Sequence, residues 1–582
     1  RIQARGIQDH LTDALYDWLI FARQKPRIDR LWIVLGLADP DQWRNAFRSA
    51  VWRGDIEAQR QLAAQPEFSR LRPYTAAFLG RQFHNRGETP KALELFLAVQ
   101  QRYPDDFWIN HELARCYRTM NPPRLDQAIR YYTAAVALRP RSRALRVNLG
   151  ESLSASGSYD EAIAAYRKAI ELDPKMALPH NNLGNALRDK GRLDDAIAAF
   201  RDAIRLKKDY PEAHNNLGVA LRDKGRLDDA IADFREAIRL KKDYPEAHNN
   251  LGVALRDKGQ LDDAIAAFRE AIRLKKDYPE AHTNLGSALS DKGQLNEAIA
   301  AYREAIRVKK DYASAHYDLG LALQAKRQVD EAIAAYREAI RLKPDFPEAH
   351  CNLGIVLCRQ GRFVEALKAL RHGHELGSQR PDWRYPSAEW VKQCERLVAL
   401  DDKLADVLSG KVQPADTAER LTLAQFCQEH KKRHAAAARF YAEAFVAEPK
   451  LSGAQSSGHR YNAACAAALA GCGQGEDAKS LGDKERARLR RQALDWLQAD
   501  LAACRRLLEK EPAKAGPAVM QAMQHWQNDA DFAGVRGVEA LARLPAAERP
   551  DWQKLWQEVE ELRQRAAAPA RPDKIEKKAT PK

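Results

Sequence analysis

The sequence predicts an all-α solenoid of repeated helix pairs, and three observations predict it. The first is self-similarity. Asn-Leu-Gly or a near variant ends at Gly150, Gly184, Gly218, Gly252, Gly286, Gly320 and Gly354, each 34 residues from the last. The second is that one period holds two stretches of helical periodicity separated by a glycine. The third is composition: 45% hydrophobic residues supply a core, while 30% are charged. The longest strongly apolar run, Leu31 to Leu37, is far short of the roughly 20 residues that cross a bilayer.

Taken in order, residues 1–38 read as a helical N-terminal cap, with Leu11, Leu15, Trp18 and Leu19 on one face to cover the end of the array. Residues 39–72 read as a degenerate repeat, and 73–380 as nine repeats. Gly80 and Ala114 hold the register upstream, with a two-residue insertion around Pro122-Pro123. Residues 211–244 and 245–278 differ only at Arg226/Gln260 and Asp233/Ala267, the mark of recent duplication.

Within 177–210 the first helix is expected from about His180 to Lys190, with Leu183 and Leu187 on one face. Gly191 breaks it, as Gly157, Gly225, Gly259, Gly293 and Gly361 do in sister repeats. Asp194 and Asp195 then open the second helix, where carboxylates suit the positive dipole end. That helix presents Ala196, Phe200 and Ala203 as an apolar stripe. The linker closes with a proline (Pro211, Pro245, Pro279) suited to the first turn of the next helix.

After the repeats, 381–458 reads as exit helices with an isolated repeat-like unit at 417–450. Residues 459–566 read as a further helical region, interrupted by Gly471-Cys-Gly-Gln-Gly475, and 567–582 as a disordered basic tail.

The 34-residue pair with Leu-Gly early, then Ala, an aromatic and a late Ala, resembles the tetratricopeptide repeat (TPR). The aromatic recurs as Phe200, Phe234, Phe268, Tyr302 and Tyr336, and the late alanine as Ala203, Ala237, Ala271, Ala305 and Ala339. The family's terminal proline stands at Pro104, Pro140, Pro174 and Pro344 but gives way to Lys208, Lys242, Lys276 and Lys310 in the middle repeats. The resemblance implies a right-handed superhelical TPR solenoid with helical N- and C-terminal caps. Its late alanines let the paired helices approach closely, its aromatics wedge between neighbouring repeats, and its first helices line a concave groove.

A second likeness lies in the flanks. Asp105-Asp-Phe-Trp-Ile-Asn110, Arg439-Phe-Tyr-Ala-Glu-Ala-Phe445 and His459-Arg-Tyr-Asn-Ala-Ala-Cys465 through Asp477 resemble the region downstream of the catalytic domain in large bacterial serine/threonine protein kinases. That resemblance, with Arg1 rather than Met at the start, implies a kinase domain encoded upstream. The expected location is cytoplasmic, or membrane-tethered should that parent carry a span. The 582 residues themselves hold no Gly-rich phosphate loop, Val-Ala-Ile-Lys, His-Arg-Asp or Asp-Phe-Gly, so no enzymatic activity and no cofactor is assigned to them.

Net charge is +15, five of it from Arg563 to Lys582, which argues against specific nucleic-acid binding. Eight scattered cysteines with no C-x-x-C read as reduced thiols. The ladder His180, His214, His248, His282, His316 and His350 reads as packing. Adjacent repeats lie about 8–10 Å apart, too far for two rings to share a metal. The pairs Lys207-Lys208, Lys241-Lys242 and Lys275-Lys276 read as a solvated face.

The asparagines are different. Asn148, Asn182, Asn216, Asn250, Asn284 and Asn352, with Asp318 filling the gap, precede each Leu-Gly although Asn is a mediocre helix former. A similar ladder in O-linked N-acetylglucosamine transferases holds peptide backbone, so the resemblance makes this row a peptide-binding surface. Arg188, Arg222 and Arg256, with Asp189, Asp223 and Asp257, are expected to add charge preferences at its edge. The partner expected is a protein segment in extended conformation, and the sequence specifies no oligomeric state. The alternative is the substrate-recognition half of a protein glycosyltransferase. It is opposed by the lack of strand–helix alternation after the repeats.

Overall fold

The computed structural model describes residue 15 and residues 25–39, 41–69, 71–452 and 458–567. The expected basic tail and most of the N-terminal cap lie outside the described residues; of the cap's apolar face, Leu15 is described and is buried. The fold is all-α, a repeat solenoid, and no strand occurs among the described residues. The chain divides into two compact units, 1–310 and 311–582.

In the first unit the helix Lys25–Ala38 precedes the helices Gln42–Arg53, Ile56–Ala63 and Pro66–Ser69. Regular pairs follow from Pro73, a 13-residue first helix and a 14-residue second. The helix expected from His180 runs Ala177–Asp189, beginning three residues early because Pro179 is accommodated in its first turn. Pro211, Pro245 and Pro279 each open a first helix, where the missing N–H costs nothing. Asp194 and Asp195 lie in the first turn of Leu193–Leu206.

The structure adds a contact to each of the packing roles expected of the alanine and the aromatic. Phe234 is wholly buried and lies across Gly218 of its own repeat, where an added Cβ would sit 2.7 Å from its ring. The aromatic therefore sets the approach of the two helices within a repeat. The late alanine serves the junction as well: Ala203 clusters with Tyr210 and with Ala213 of the next repeat while Ala177 of its own repeat packs against them, and Ala271 clusters with Tyr278 and Ala281. An aromatic needs a partner with no side chain, whereas two alanines already let helices close together.

The second unit begins with the pairs Ala313–Ala325/Val329–Leu342 and Pro347–Arg359/Phe363–Ser378. The long helix Ser387–Leu408 follows, then the pair Thr417–Glu429/His434–Ala447. His459–Gly471, Asp483–Lys510, Pro512–Asn528 and Arg549–Ala567 complete it. One apolar core runs from Phe363 through Leu423, Phe440 and Leu497 to Trp552 and Leu562.

The turn between paired helices needs a left-handed residue, φ +78° at Gly225. At the equivalent place the second unit has Arg327 with φ +60°. A side chain there costs about 1 kcal/mol. Arg327→Gly is expected to raise the denaturant midpoint by an amount worth about 1 kcal/mol, and Gly225→Ala to lower it similarly.

Candidate peptide-binding face

The ladder asparagines sit mid-way along each first helix and are half-buried. Five of the six reach back to the preceding repeat. Asn216 Nδ2 donates to Asn181 Oδ1 (3.1 Å), Asn250 to Asn215 (3.0 Å) and Asn284 to Asn249 (3.0 Å). Asn182 donates to Glu151 (3.3 Å) and Asn352 to the Tyr317 hydroxyl (2.9 Å). The ladder thus has an inter-repeat role that the sequence reading did not give it. Its acceptors, Asn181, Asn215 and Asn249, recur at the same 34-residue step, and that periodicity was the available signal. Asn148 and Asp318 occupy the same position, half-buried.

At the upstream end the ladder position carries Glu112, fully buried. Its carboxylate meets Arg81 of the preceding repeat at 2.5 Å and Arg115 at 2.7 Å. Burial alone would raise this carboxyl; His111, Arg81 and Arg115 outweigh it and hold it down to about 2.

The flanking charges are mostly satisfied locally. Arg188 pairs with Asp189 (2.8 Å) and Arg222 with Asp223 (3.0 Å), while Arg256 crosses to Asp291 of the next repeat (2.6 Å). Asp189, Asp223 and Asp257 are exposed. On the second helices, Asp228 accepts Lys258 of the following repeat at 2.5 Å. Such exposed bridges are worth at most about 1 kcal/mol each.

The histidine ladder is tied to the linkers. His282 Nε2 lies 3.2 Å from the Lys276 carbonyl and His350 Nε2 3.0 Å from that of Pro344, six residues upstream in both cases. His214 instead contacts Asp233 (2.8 Å), one of the two positions at which the duplicated repeats differ. The first lysine of each linker lies over the linker aromatic, Lys207 4.6 Å from the Tyr210 centroid and Lys343 5.2 Å from Phe346.

In the C-terminal helices, the Cys465 sulfur and carboxylate oxygens of Asp529 and Asp531 lie within 4.8 Å of one another. Asp529 is occupied by the Tyr461 hydroxyl (2.6 Å) and by the Asp531 N–H (3.0 Å), so hydrogen bonding accounts for the cluster. The loop Gly471–Gly475 borders a cavity of about 990 Å³ whose Arg490 is paired bidentately with Glu548 (2.7 and 2.8 Å). The flank segments are likewise structural. Asp106 caps its helix at Ile109 N (2.9 Å), Phe440, Tyr441 and Phe445 enter the core, and Asp477 accepts Ala436 N (2.8 Å).

Comparison with known proteins agrees with the repeat geometry. Residues 325–361 match the family model described as TPR repeat. Residues 109–318 match that of the cilia and flagella-associated protein 70 C-terminal domain, itself a TPR model. This chain is a tetratricopeptide-repeat protein. Neither match is to a kinase-associated family, and no curated protein matches the chain.

Among solved structures, the TPR chain is similar to MamA, at 30% identity and a TM-score of 0.26, over 28% of this chain and 95% of that one. It is also similar to YrrB, described as a TPR protein with an unusual peptide-binding site, at 26% identity and a TM-score of 0.27, over 32% and 95%. A third is PilF of Pseudomonas aeruginosa, at 21% identity and a TM-score of 0.33, over 36% and 96%. No described helix is long and apolar enough to cross a membrane.

Proposed function

We propose that this TPR protein is a protein–protein interaction scaffold that binds extended protein segments along the row of ladder amides. The observation that carries this reading is the fixed, half-exposed orientation of Asn216, Asn250 and Asn284. Each spends one Nδ2 hydrogen on the preceding repeat. The second hydrogen and an Oδ1 lone pair are left to meet the C=O and N–H of a peptide unit. The inter-repeat bond orders the amide before any partner arrives, which lowers the cost of binding. Repeats about 10 Å apart match roughly three residues of extended chain. Near-identical repeats read backbone rather than a varied side-chain sequence. From the flank likeness alone, that segment is read as a kinase substrate; packing and capping account for the flank residues without it.

Changing Asn182, Asn216, Asn250, Asn284 and Asn352 together to Ala is expected to abolish binding on a peptide array while circular dichroism stays helical. Stability should fall as well, by about 0.5–1.5 kcal/mol for each lost hydrogen bond. The matched control, Asn181→Ala with Asn215→Ala and Asn249→Ala, removes the acceptors but keeps the ladder, so it should lose stability and bind more weakly than the unmodified chain, yet bind where the ladder variant does not. Unchanged binding in a folded ladder variant overturns the proposal.

A further inference from the structure

Cys358 and Cys394 are 36 residues apart in sequence, yet their sulfurs lie 3.2 Å apart. Cys358 stands at the end of the helix Pro347–Arg359 and is partly exposed. Cys394 lies within Ser387–Leu408, is 1% exposed and donates its S–H to the Phe363 carbonyl at 3.4 Å. A disulfide places its sulfurs about 2.05 Å apart, so a side-chain shift of about 1.2 Å closes the gap.

We propose that Cys358 and Cys394 form a redox-modification site, oxidised by a low-molecular-weight disulfide such as glutathione disulfide, which staples the last repeat to the helix that follows it. Solvent reaches only one of the two sulfurs, and that fixes the order of events. Cys358, as its thiolate, attacks the small disulfide, forming a mixed disulfide and releasing one small thiol. Cys394 then attacks the Cys358 sulfur, its proton passing to the departing small thiolate; the protein disulfide forms and the second small thiol leaves. Two protein thiols are oxidised and one small disulfide is reduced to two thiols. The bond to Cys394 and burial push the Cys358 thiol up, so the first attack quickens as pH rises.

The consequence is local. Ser387–Leu408 packs against both helices of the last repeat. A covalent bond adds a second constraint to the packing that already joins this helix to the last repeat.

The test uses the full chain, reduced and then incubated with glutathione disulfide. Alkylation and intact mass should then count two fewer free thiols than the eight of the sequence, with one cross-linked peptide joining Cys358 to Cys394. Hydrogen exchange over Ser387–Leu408 should slow about ten-fold or more and recover with dithiothreitol. Cys394→Ser should instead retain one glutathione on Cys358, and Cys358→Ser none. Eight alkylatable thiols after oxidation, or glutathione held on Cys358 of the unmodified chain, overturns the proposal. The unmodified chain alone decides between these outcomes should a variant fail to fold.

Discussion

Deleting residues 211–244 shortens the first unit by one repeat and leaves it folded, whereas deleting residues 211–227 unfolds it. The whole-repeat deletion joins Tyr210 to Pro245, the same junction that Tyr244 makes in the full chain. Every interface it severs is rebuilt from identical groups. Asn250 meets Asn181 in place of Asn216, and Lys258 meets Asp194 in place of Lys224. The calorimetric enthalpy should fall by about 24 kcal/mol, at roughly 0.7 kcal/mol per residue near 60 °C.

The half-repeat deletion removes the first helix but keeps its partner Leu227–Leu240 nearly whole. Phe234 then has no Gly218 beneath it, and the wholly buried ring is left without its seat. A buried phenylalanine that loses its site costs about 3–5 kcal/mol, before counting the alanine contacts at both junctions. Circular dichroism and calorimetry of the two deletions decide the matter. If both are equally benign, the nearest-neighbour account of this array is wrong.

Glu112→Gln is expected to destabilise the first unit by about 3–5 kcal/mol, the cost of removing one partner from a buried ion pair. Arg81 and Arg115 keep their charges at 2.5 and 2.7 Å from a group that no longer answers them. The same carboxylate sets an acid limit. Its folded value of about 2 lies below the ordinary 4.5, so the unfolded chain binds the proton more readily. The stabilisation is complete above pH 4.5 and is lost as pH falls from there toward 2, by about 3 kcal/mol in all. Urea titrations at pH 6 and pH 3 should therefore show the gap between Glu112→Gln and the unmodified chain shrink by about half or more at the lower pH. A pH-independent difference between them would show that Glu112 acts by shape and not by charge.

Much of this protein was written into its sequence because its repeats are local. A 34-residue step, a glycine between two periodic stretches and a proline at the next helix start all act within a few residues, and they specified helix type, number and order. Boundaries slipped by a turn where a proline was tolerated inside Ala177–Asp189, since propensity fixes an element better than its ends. The asparagine ladder was also legible as a row, because duplication copies a position faithfully.

What each side chain touches was decided only by the tertiary structure. Phe234 and Ala203 both lie on the apolar stripe of a second helix, and periodicity cannot say which one faces its own glycine and which the next repeat. The ladder amides offered the same donors and acceptors to a peptide or to a neighbour; stacking placed Asn181, Asn215 and Asn249 3.0 to 3.1 Å from them. Glu112 gave no signal of burial, because its partner Arg81 is 31 residues away. Cys358 and Cys394 looked isolated for the same reason, since the turn that returns Ser387–Leu408 to the last repeat carries no cysteine pattern. Sequence fixes what is near along the chain, and the packing of one helix on another decides which of those groups meet.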